Sequence, residues 1–418
     1  MANKVRVYTT DLKEGMYVAE LDRPWVDTPF LFQGFVIQND EDVKELRTHC
    51  EFVYIDADLS RPDAVPHLLT SKQTAVGDNR IGGSSLSEAG LRKALTESYC
   101  VYKDARKWID NMLEDCRLGR SVDTKKARVL VTQLADQVIK NRDALIWLTH
   151  LKERDEYTAT HCINVCILAL SFGRELKLDE AALHQLGMGA LLHDIGKMKV
   201  PDEILNKPGR LSKEEFAIIM AHPSDGHAML CDDHEVDPVS LHIVMHHHER
   251  LDGGGYPDGL SEDNIPLLTR ISSIVDVYDA ITSDRCYHDG IAPAMALENL
   301  FKWSSGNFDV SLLERFIKCL GIYPIGSVVQ LNSGEIGIIV ATDEDRRLKP
   351  IVLLVLSANG KPYEPRRLVN LSSAIWEKTG KSLSIMKVLE PGTMGINLKT
   401  ILQDELQLSE EQVTRVQA

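Results

Sequence analysis

Long apolar runs are missing from this chain. The segment Ile351 to Leu356 is among the longest, far short of a bilayer span, and the opening Met-Ala-Asn-Lys-Val-Arg lacks the apolar core of a signal peptide. A cytoplasmic location with no membrane partner is therefore expected. Paired cysteines are missing too: the eight cysteines include no Cys-x-x-Cys, which argues against a thiolate zinc module and for reduced thiols. Cys162 and Cys166 stand one helical turn apart and are expected to pack rather than ligate. Positive charge is in short supply, with 47 Lys and Arg against 62 Asp and Glu, a formal net charge of -15, and no basic block. Polymeric nucleic acid is thus a poor partner, and an anionic substrate must be attracted locally by metal ions and a few placed cations.

A chain of 418 residues exceeds one ordinary core, so two or three domains are expected. Residues 1–65 alternate short β-rich runs (Val5 to Tyr8, Met16 to Ala19, Phe35 to Ile37, Phe52 to Ile55) with one helical pattern from Asp40 to His49, predicting a small α+β accessory or regulatory module. Residues 66–87, ending in Gly82-Gly83-Ser84-Ser85, read as a flexible linker. Apolar stripes at spacings of three and four predict a helical segment over 88–152 that supports the core or mediates dimerisation. Helix signals dominate 153–321, among them Asp179, the capping box Ser212-x-x-Glu215, and the Pro-led starts at Pro238 and Pro266. Strand patterns at Val328 to Leu331, Ile336 to Val340 and Ile351 to Leu356 predict a β-rich unit over 322–391, and residues 392–418 read as a polar, partly helical tail. The fold class expected is mainly α: an all-helical metal-binding core between a small α+β module and a small β-rich unit.

What is abundant is histidine. Most of the fourteen histidines fall between 161 and 288, and a buried imidazole needs a hydrogen-bond partner for each nitrogen or a metal for one of them. Seven residues are candidate ligands: His161, His193, Asp194, His222, His247, His248 and Asp276. They lie on separate helical segments, so several helix faces must converge. Neighbours on a helix diverge by roughly 100°, so the adjacent pairs His193-Asp194 and His247-His248 are expected at helix ends. Nitrogen and carboxylate donors without thiolate favour iron or manganese, with nickel, cobalt and zinc also compatible. Two such ions roughly 3.5 to 4 Å apart would activate a shared water and clamp a phosphodiester. His184, His227, His234, His242 and His246 read as ordinary packed or solvated histidines.

The motifs His193-Asp194-Ile195-Gly196-Lys197, His222-Pro223-x-x-Gly226, His247-His248-Glu249-x-x-Asp252-Gly253-x-Gly255-Tyr256-Pro257 and Asp276-x-x-Asp279-Ala280-x-x-Ser283-x-Arg285 closely resemble the HD-GYP branch of the HD phosphohydrolases. The resemblance covers about 155–320. It implies a metal-dependent phosphodiesterase that opens cyclic di-GMP to pGpG, with GMP as the onward product, by attack of a metal-bridging hydroxide. It implies that His161, His193, Asp194 and Asp276 hold one ion and His222, His247 and His248 the other, with Asp194 shared. Lys197 would contact the scissile phosphate, Arg285 would grip a phosphate or guanine, and Tyr256 would shape the site or an interface. The partners implied are cyclic di-GMP, signalling proteins meeting the Gly-Tyr-Pro loop or the N-terminal module, and a second copy in a homodimer.

The sequence departs from the family pattern in two places. Cys286 and His288 stand where members commonly carry Pro and a basic residue. Tyr157 stands where members with three ions carry Glu, with Glu156 one step away and so about 100° off that helix face; two ions are expected. Two rival readings are an HD-type nucleotide phosphohydrolase with another substrate and a non-catalytic sensor. The intact Gly255-Tyr256-Pro257 opposes the first, and retention of every expected ligand opposes the second.

Overall fold

The computed structural model describes residues 4–21, 35–37, 40–56, 60–61, 64, 88–151, 157–207, 209–283, 290–342, 349–372, 383–390 and 392–417. It divides into two compact units, residues 1–84 and 85–418.

In the first unit, strands β1 (Lys4–Tyr8), β2 (Tyr17–Leu21), β3 (Phe35–Val36) and β4 (Phe52–Asp56) form an antiparallel sheet in the order β1-β4-β2-β3. Helix α1 (Asp40–His49) occupies the stretch its pattern predicts. Strand alternation separates the faces. Val18, Val53 and Ile55 join Val43, Leu46 and Cys50 in one buried cluster, while Arg6 lies over the Phe52 ring on the other face.

The second unit is mostly helical. Helices α2 (Glu88–Arg117) and α3 (Thr124–Leu148) pack against each other, and buried Leu91, Leu95, Tyr102, Ala105, Ile109 and Met112 mark the 3-4 stripe of α2. Asp123 caps α3, its side chain accepting from the Lys126 amide. Both helices serve the core, α2 packing on α4 (Tyr157–Glu175) and α3 on α4 and α5 (Glu180–Leu192). After α5 come a 3-10 turn (Ile195–Lys199), α6 (Asp202–Leu205), α7 (Lys213–Met220), α8 (His222–Leu230), α9 (Pro238–His246), α10 (Leu267–Thr282), α11 (Pro293–Lys302) and α12 (Val310–Leu320). Asp179 and Ser212 cap α5 and α7 as their spacing predicts, the latter with the full reciprocal box to Glu215. Pro238 opens α9, whereas Pro266 sits at the cap of α10, one position earlier than expected. Cys162 and Cys166 are buried in α4, and burial raises both thiols well above their usual pKa, as packing residues require.

Strands β5 (Val328–Leu331), β6 (Ile336–Ala341), β7 (Ile351–Leu356), β8 (Pro362–Asn370) and β9 (Ile385–Leu389) form an antiparallel sheet ordered β8-β7-β6-β5-β9. Every residue of β6 and β7 is buried, which is why these strands read as continuous apolar runs rather than alternating ones. Asp143 of α3 accepts from the Thr342 amide at 2.9 Å, tying sheet to helices. The stretch read as a polar, partly helical tail carries a helix, α13 (Leu398–Gln417), which packs on α2, with Ile401, Leu402 and Leu406 buried. Its buried Glu405 pairs with Arg92 of α2 at 3.5 Å and Arg366 of β8 at 3.1 Å. Seven apolar side chains spread over a charged twenty-residue segment left too faint a stripe to read. No helix among the described residues is long and apolar enough to cross a membrane.

Candidate metal centre

Three helices deliver histidines from their C-terminal ends, where the last carbonyls have no intrahelical partner. His193 follows α5, His222 follows the last turn of α7, and His247 follows α9. Each ring presents Nδ1 to the carbonyl three residues earlier: His193 to Ala190 at 2.7 Å, His222 to Ile219 at 2.7 Å and His247 to Val244 at 3.0 Å. A carbonyl only accepts, so Nδ1 carries the proton and Nε2 is left as a lone pair. The adjacent pairs are therefore at helix ends, as the angular argument demands.

Those lone pairs converge. His222 Nε2 and His247 Nε2 face each other at 3.2 Å, and His193 Nε2 is buried without a hydrogen-bond partner. Between them stands Asp194, which occupies the sparse bridge region of backbone space (φ -98°, ψ 5°) where α5 gives way to the 3-10 turn. Its Oδ1 lies 3.3 Å from His222 Nε2 and 3.9 Å from His247 Nε2; its Oδ2 lies 3.4 Å from His193 Nε2 and 3.7 Å from His161 Nε2. One carboxylate thus turns one oxygen to each group of imidazoles. Asp276 of α10 adds Oδ1 at 2.9 Å from His161 Nε2 and Oδ2 at 3.9 Å from His248 Nδ1. The ligand-capable atoms fall into two clusters, Asp194 with His222, His247 and His248, and His161 with His193 and Asp276. Facing lone pairs and orphaned buried acceptors are relieved by cations, not by further acceptors. The residues fit a pair of metal ions.

The electrostatics agree. Burial would raise the Asp194 carboxyl, but Lys197 Nζ at 2.6 Å and the surrounding imidazoles hold it well below the usual carboxylate range. Burial likewise opposes ionisation of Asp276, but the hydrogen bond and charge of His161 together with His193 and His248 hold it well below the usual carboxylate range. His161 itself would be lowered by burial, but its hydrogen bonds to Asp276 and Asp279 lift it to about 9. Burial lowers His193 and His247 and takes His248 to about 3.

Comparison with known proteins places this geometry. The HD domain family matches residues 137–312, and a domain of unknown function (DUF3391) matches residues 4–127. The chain is 37% identical over 371 residues to cyclic di-GMP phosphodiesterase PA4108 of Pseudomonas aeruginosa, covering 88% of this chain and 89% of that one. The chain belongs to the HD-GYP family. It is a phosphodiesterase of the HD-GYP type. Another relative is the cyclic di-GMP phosphodiesterase response regulator RpfG of Xanthomonas campestris, 31% identical over 59% of this chain and 66% of that one. A solved structure, Bd1817, a HDG"Y"P protein from Bdellovibrio bacteriovorus, aligns with a TM-score of 0.45 at 17% identity, over 75% of this chain and 98% of that one.

The glycines of the HD-GYP motifs have steric explanations. A side chain at Gly196 would overlap the His222 carbonyl oxygen and approach the Gly226 nitrogen to 2.5 Å, so the His-Asp and His-Pro segments touch backbone to backbone. At Gly255 a Cβ would lie 2.5 Å from the Glu249 Cα and 2.6 Å from the His248 carbonyl oxygen. The Gly-Tyr-Pro loop therefore folds flat onto the histidine pair. Tyr256 stacks on the His248 ring at 4.8 Å between centroids and 27° between planes, with a cis bond to Pro257. Buried Glu249 accepts three amides of that loop, from Asp258 at 2.8 Å, Gly259 at 3.0 Å and Leu260 at 3.0 Å.

All seven candidate ligands meet at one place, with Lys197 and Tyr256 at its edge; Arg285 and Glu156 lie outside the described residues, as do Cys286 and His288. Tyr157 is the first residue of α4, one turn before His161. Among the plainer histidines, His242 meets Thr269 at 3.0 Å and His246 meets Asp258 at 3.0 Å. Two supporting residues quoted in the motifs carried no assigned role: Glu249, and Asp279, whose Oδ2 accepts from His161 Nδ1 at 2.7 Å. Their burial was the missing signal; an i, i+3 carboxylate after Asp276 was the visible one.

Proposed function

We propose that this protein hydrolyses cyclic di-GMP, opening one phosphodiester to give pGpG and releasing GMP from the linear product more slowly. The observation that carries the reading is Asp194, one oxygen turned to His193 and His161 and the other to His222 and His247. His161, His193, Asp194 and Asp276 would hold one divalent ion and His222, His247 and His248 the other, iron or manganese first. A bound pair would lower the pKa of a shared water and neutralise charge gathering on the phosphodiester.

The chain's own groups supply the rest. Lys197, 17% exposed and reaching in from the rim, places a cation where a non-bridging phosphate oxygen would arrive. Tyr256 covers His248 from the solvent side and shapes the wall on which the dinucleotide lies. Arg285 is assigned the second phosphate or a guanine edge. The oxygen of water joins phosphorus as the bond to the ribose 3′ oxygen breaks, and the proton leaves with that oxygen. Support for the substrate comes from the relative PA4108, named a cyclic di-GMP phosphodiesterase and aligned over 88% of this chain.

The test pairs metal analysis of protein purified without chelator with timed chromatography of products from cyclic di-GMP and other cyclic dinucleotides. Two metal equivalents with pGpG preceding GMP are expected. Binding without turnover in metal-loaded protein would favour the sensor reading, and turnover confined to another cyclic dinucleotide would move the substrate.

A further inference from the structure

A fully buried asparagine lies one helical turn from His161. Asn164 is 0% exposed in α4, an expensive residue to enclose unless its amide is satisfied. Its Nδ2 donates to the Asp279 carboxylate at 3.1 Å and to the Thr149 carbonyl, at the end of α3, also at 3.1 Å. Its Oδ1 accepts from the hydroxyl of Tyr102, 2% exposed in the middle of α2, at 3.2 Å. Only one orientation of the amide is consistent with these partners. The flipped form would set its oxygen against a carboxylate and a carbonyl, both acceptors. Asp279 completes the chain: Oδ1 takes the Asn164 proton, and Oδ2 takes protons from His161 Nδ1 at 2.7 Å and Ser283 Oγ at 3.2 Å.

We infer that Tyr102, Asn164 and Asp279 form a positioning network that sets the ring orientation and tautomer of His161, making α2 a working part of the metal centre although it supplies no ligand. The inference rests on the two-ion reading of the site. The direction of effect follows from the order of the bonds. Tyr102 commits the Asn164 oxygen, which commits both amide protons, which hold the Asp279 carboxylate with one oxygen aimed at His161. The other histidines owe nothing to this chain, because His193, His222 and His247 are oriented by carbonyls of their own helix ends. The effect should therefore be lopsided. Partners that orient a ligand histidine typically alter metal affinity by about 10- to 100-fold when removed. α2 also lies within the stretch 4–127 that matches the N-terminal family, so Tyr102 of that stretch stands two hydrogen bonds from the carboxylate that holds His161.

The experiment titrates Mn(II) against a competing chelator in the full chain, comparing wild type with Tyr102→Phe, Asn164→Leu, His161→Gln and His247→Gln. Wild type should bind two equivalents. Tyr102→Phe, which removes a single hydroxyl and should fold, is expected to weaken one ion by about 10-fold, and Asn164→Leu by up to about 100-fold. The weakened ion should be the one lost in His161→Gln, while the ion lost in His247→Gln keeps its affinity. Tyr102→Phe with wild-type affinities at both sites, or with both weakened in parallel, overturns the inference whether or not Asn164→Leu folds. Wild type that fails to bind two equivalents instead sinks the reading of the centre itself.

Discussion

A buried imidazole that cannot take a proton makes acid a poor solvent for the metal-free protein. His248, with its pKa lowered to about 3, and His193 and His247, also lowered, remain neutral in the folded state while the unfolded chain protonates them below about 6.5. Unfolding then takes up protons, so stability is present above about 6.5 and lost as pH falls from there toward 3. His161, raised to about 9, works in the opposite sense: its contribution is whole below 6.5 and disappears as pH rises through 9. The melting temperature of chelator-stripped protein should accordingly peak near neutrality and fall at pH 5; a flat profile from pH 5 to 7 would show the rings already solvated. Asp194→Ala is expected to abolish turnover and lose metal while circular dichroism stays wild-type, because the helices pack without the carboxylate that faces both groups. Full activity in that variant would remove Asp194 from the site. Tyr157→Glu is expected to bind a third equivalent and shorten the pGpG lag; three equivalents in the unmodified protein would show another residue already supplying that ligand.

Helix ends, loops and strands differ in how openly the sequence declares them. The adjacent pairs His193-Asp194 and His247-His248 could be assigned to helix ends from angular separation alone, because two neighbours on one helix cannot aim at one point. What could not be seen was the device that orients them, since a hydrogen bond from a ring to its own backbone leaves no mark on composition. Glu249 is similar: it stands beside two ligands, yet its side chain turns the other way and gathers the amides of Asp258, Gly259 and Leu260. Glu249→Gln places an NH2 where an acceptor is needed and removes a charge-assisted bond, a loss of about 1.5–3 kcal/mol. Amide exchange over 254–260 should rise and KM for the dinucleotide should increase with metal stoichiometry unchanged. Unaltered exchange would mean that the loop is held by the Tyr256 stack instead. Strands β5 to β7 were legible because, Gln330 apart, they carry no polar side chain; β9 was not, because its exposed Lys387 and Met386 give it no periodic face.

The order of motifs along the chain puts the candidate ligands on one side of the boundary between the two units. Every candidate ligand lies in the second unit, so a protein beginning near Leu86 should retain metal and turnover; loss of both from a folded truncation would make the first unit part of the catalyst. At the opposite end the sequence declares a polar, partly helical segment, but charge and a short apolar stripe hide that α13 docks, its buried Glu405 pinned by Arg92 and Arg366. Removing that glutamate breaks its buried pairs with Arg92 and Arg366, and Glu405→Ala is expected to cost about 3–5 kcal/mol, read as a fall in the denaturation midpoint. This clamp joins a residue near the start of the second unit to one more than three hundred positions later. During synthesis, therefore, α2 can form and lean on α3 long before Glu405 exists to meet Arg92. The pairing of Arg92 with Glu405 waits until Leu398–Gln417 has left the ribosome, and for that interval α2 lacks the helix that covers it in the folded unit.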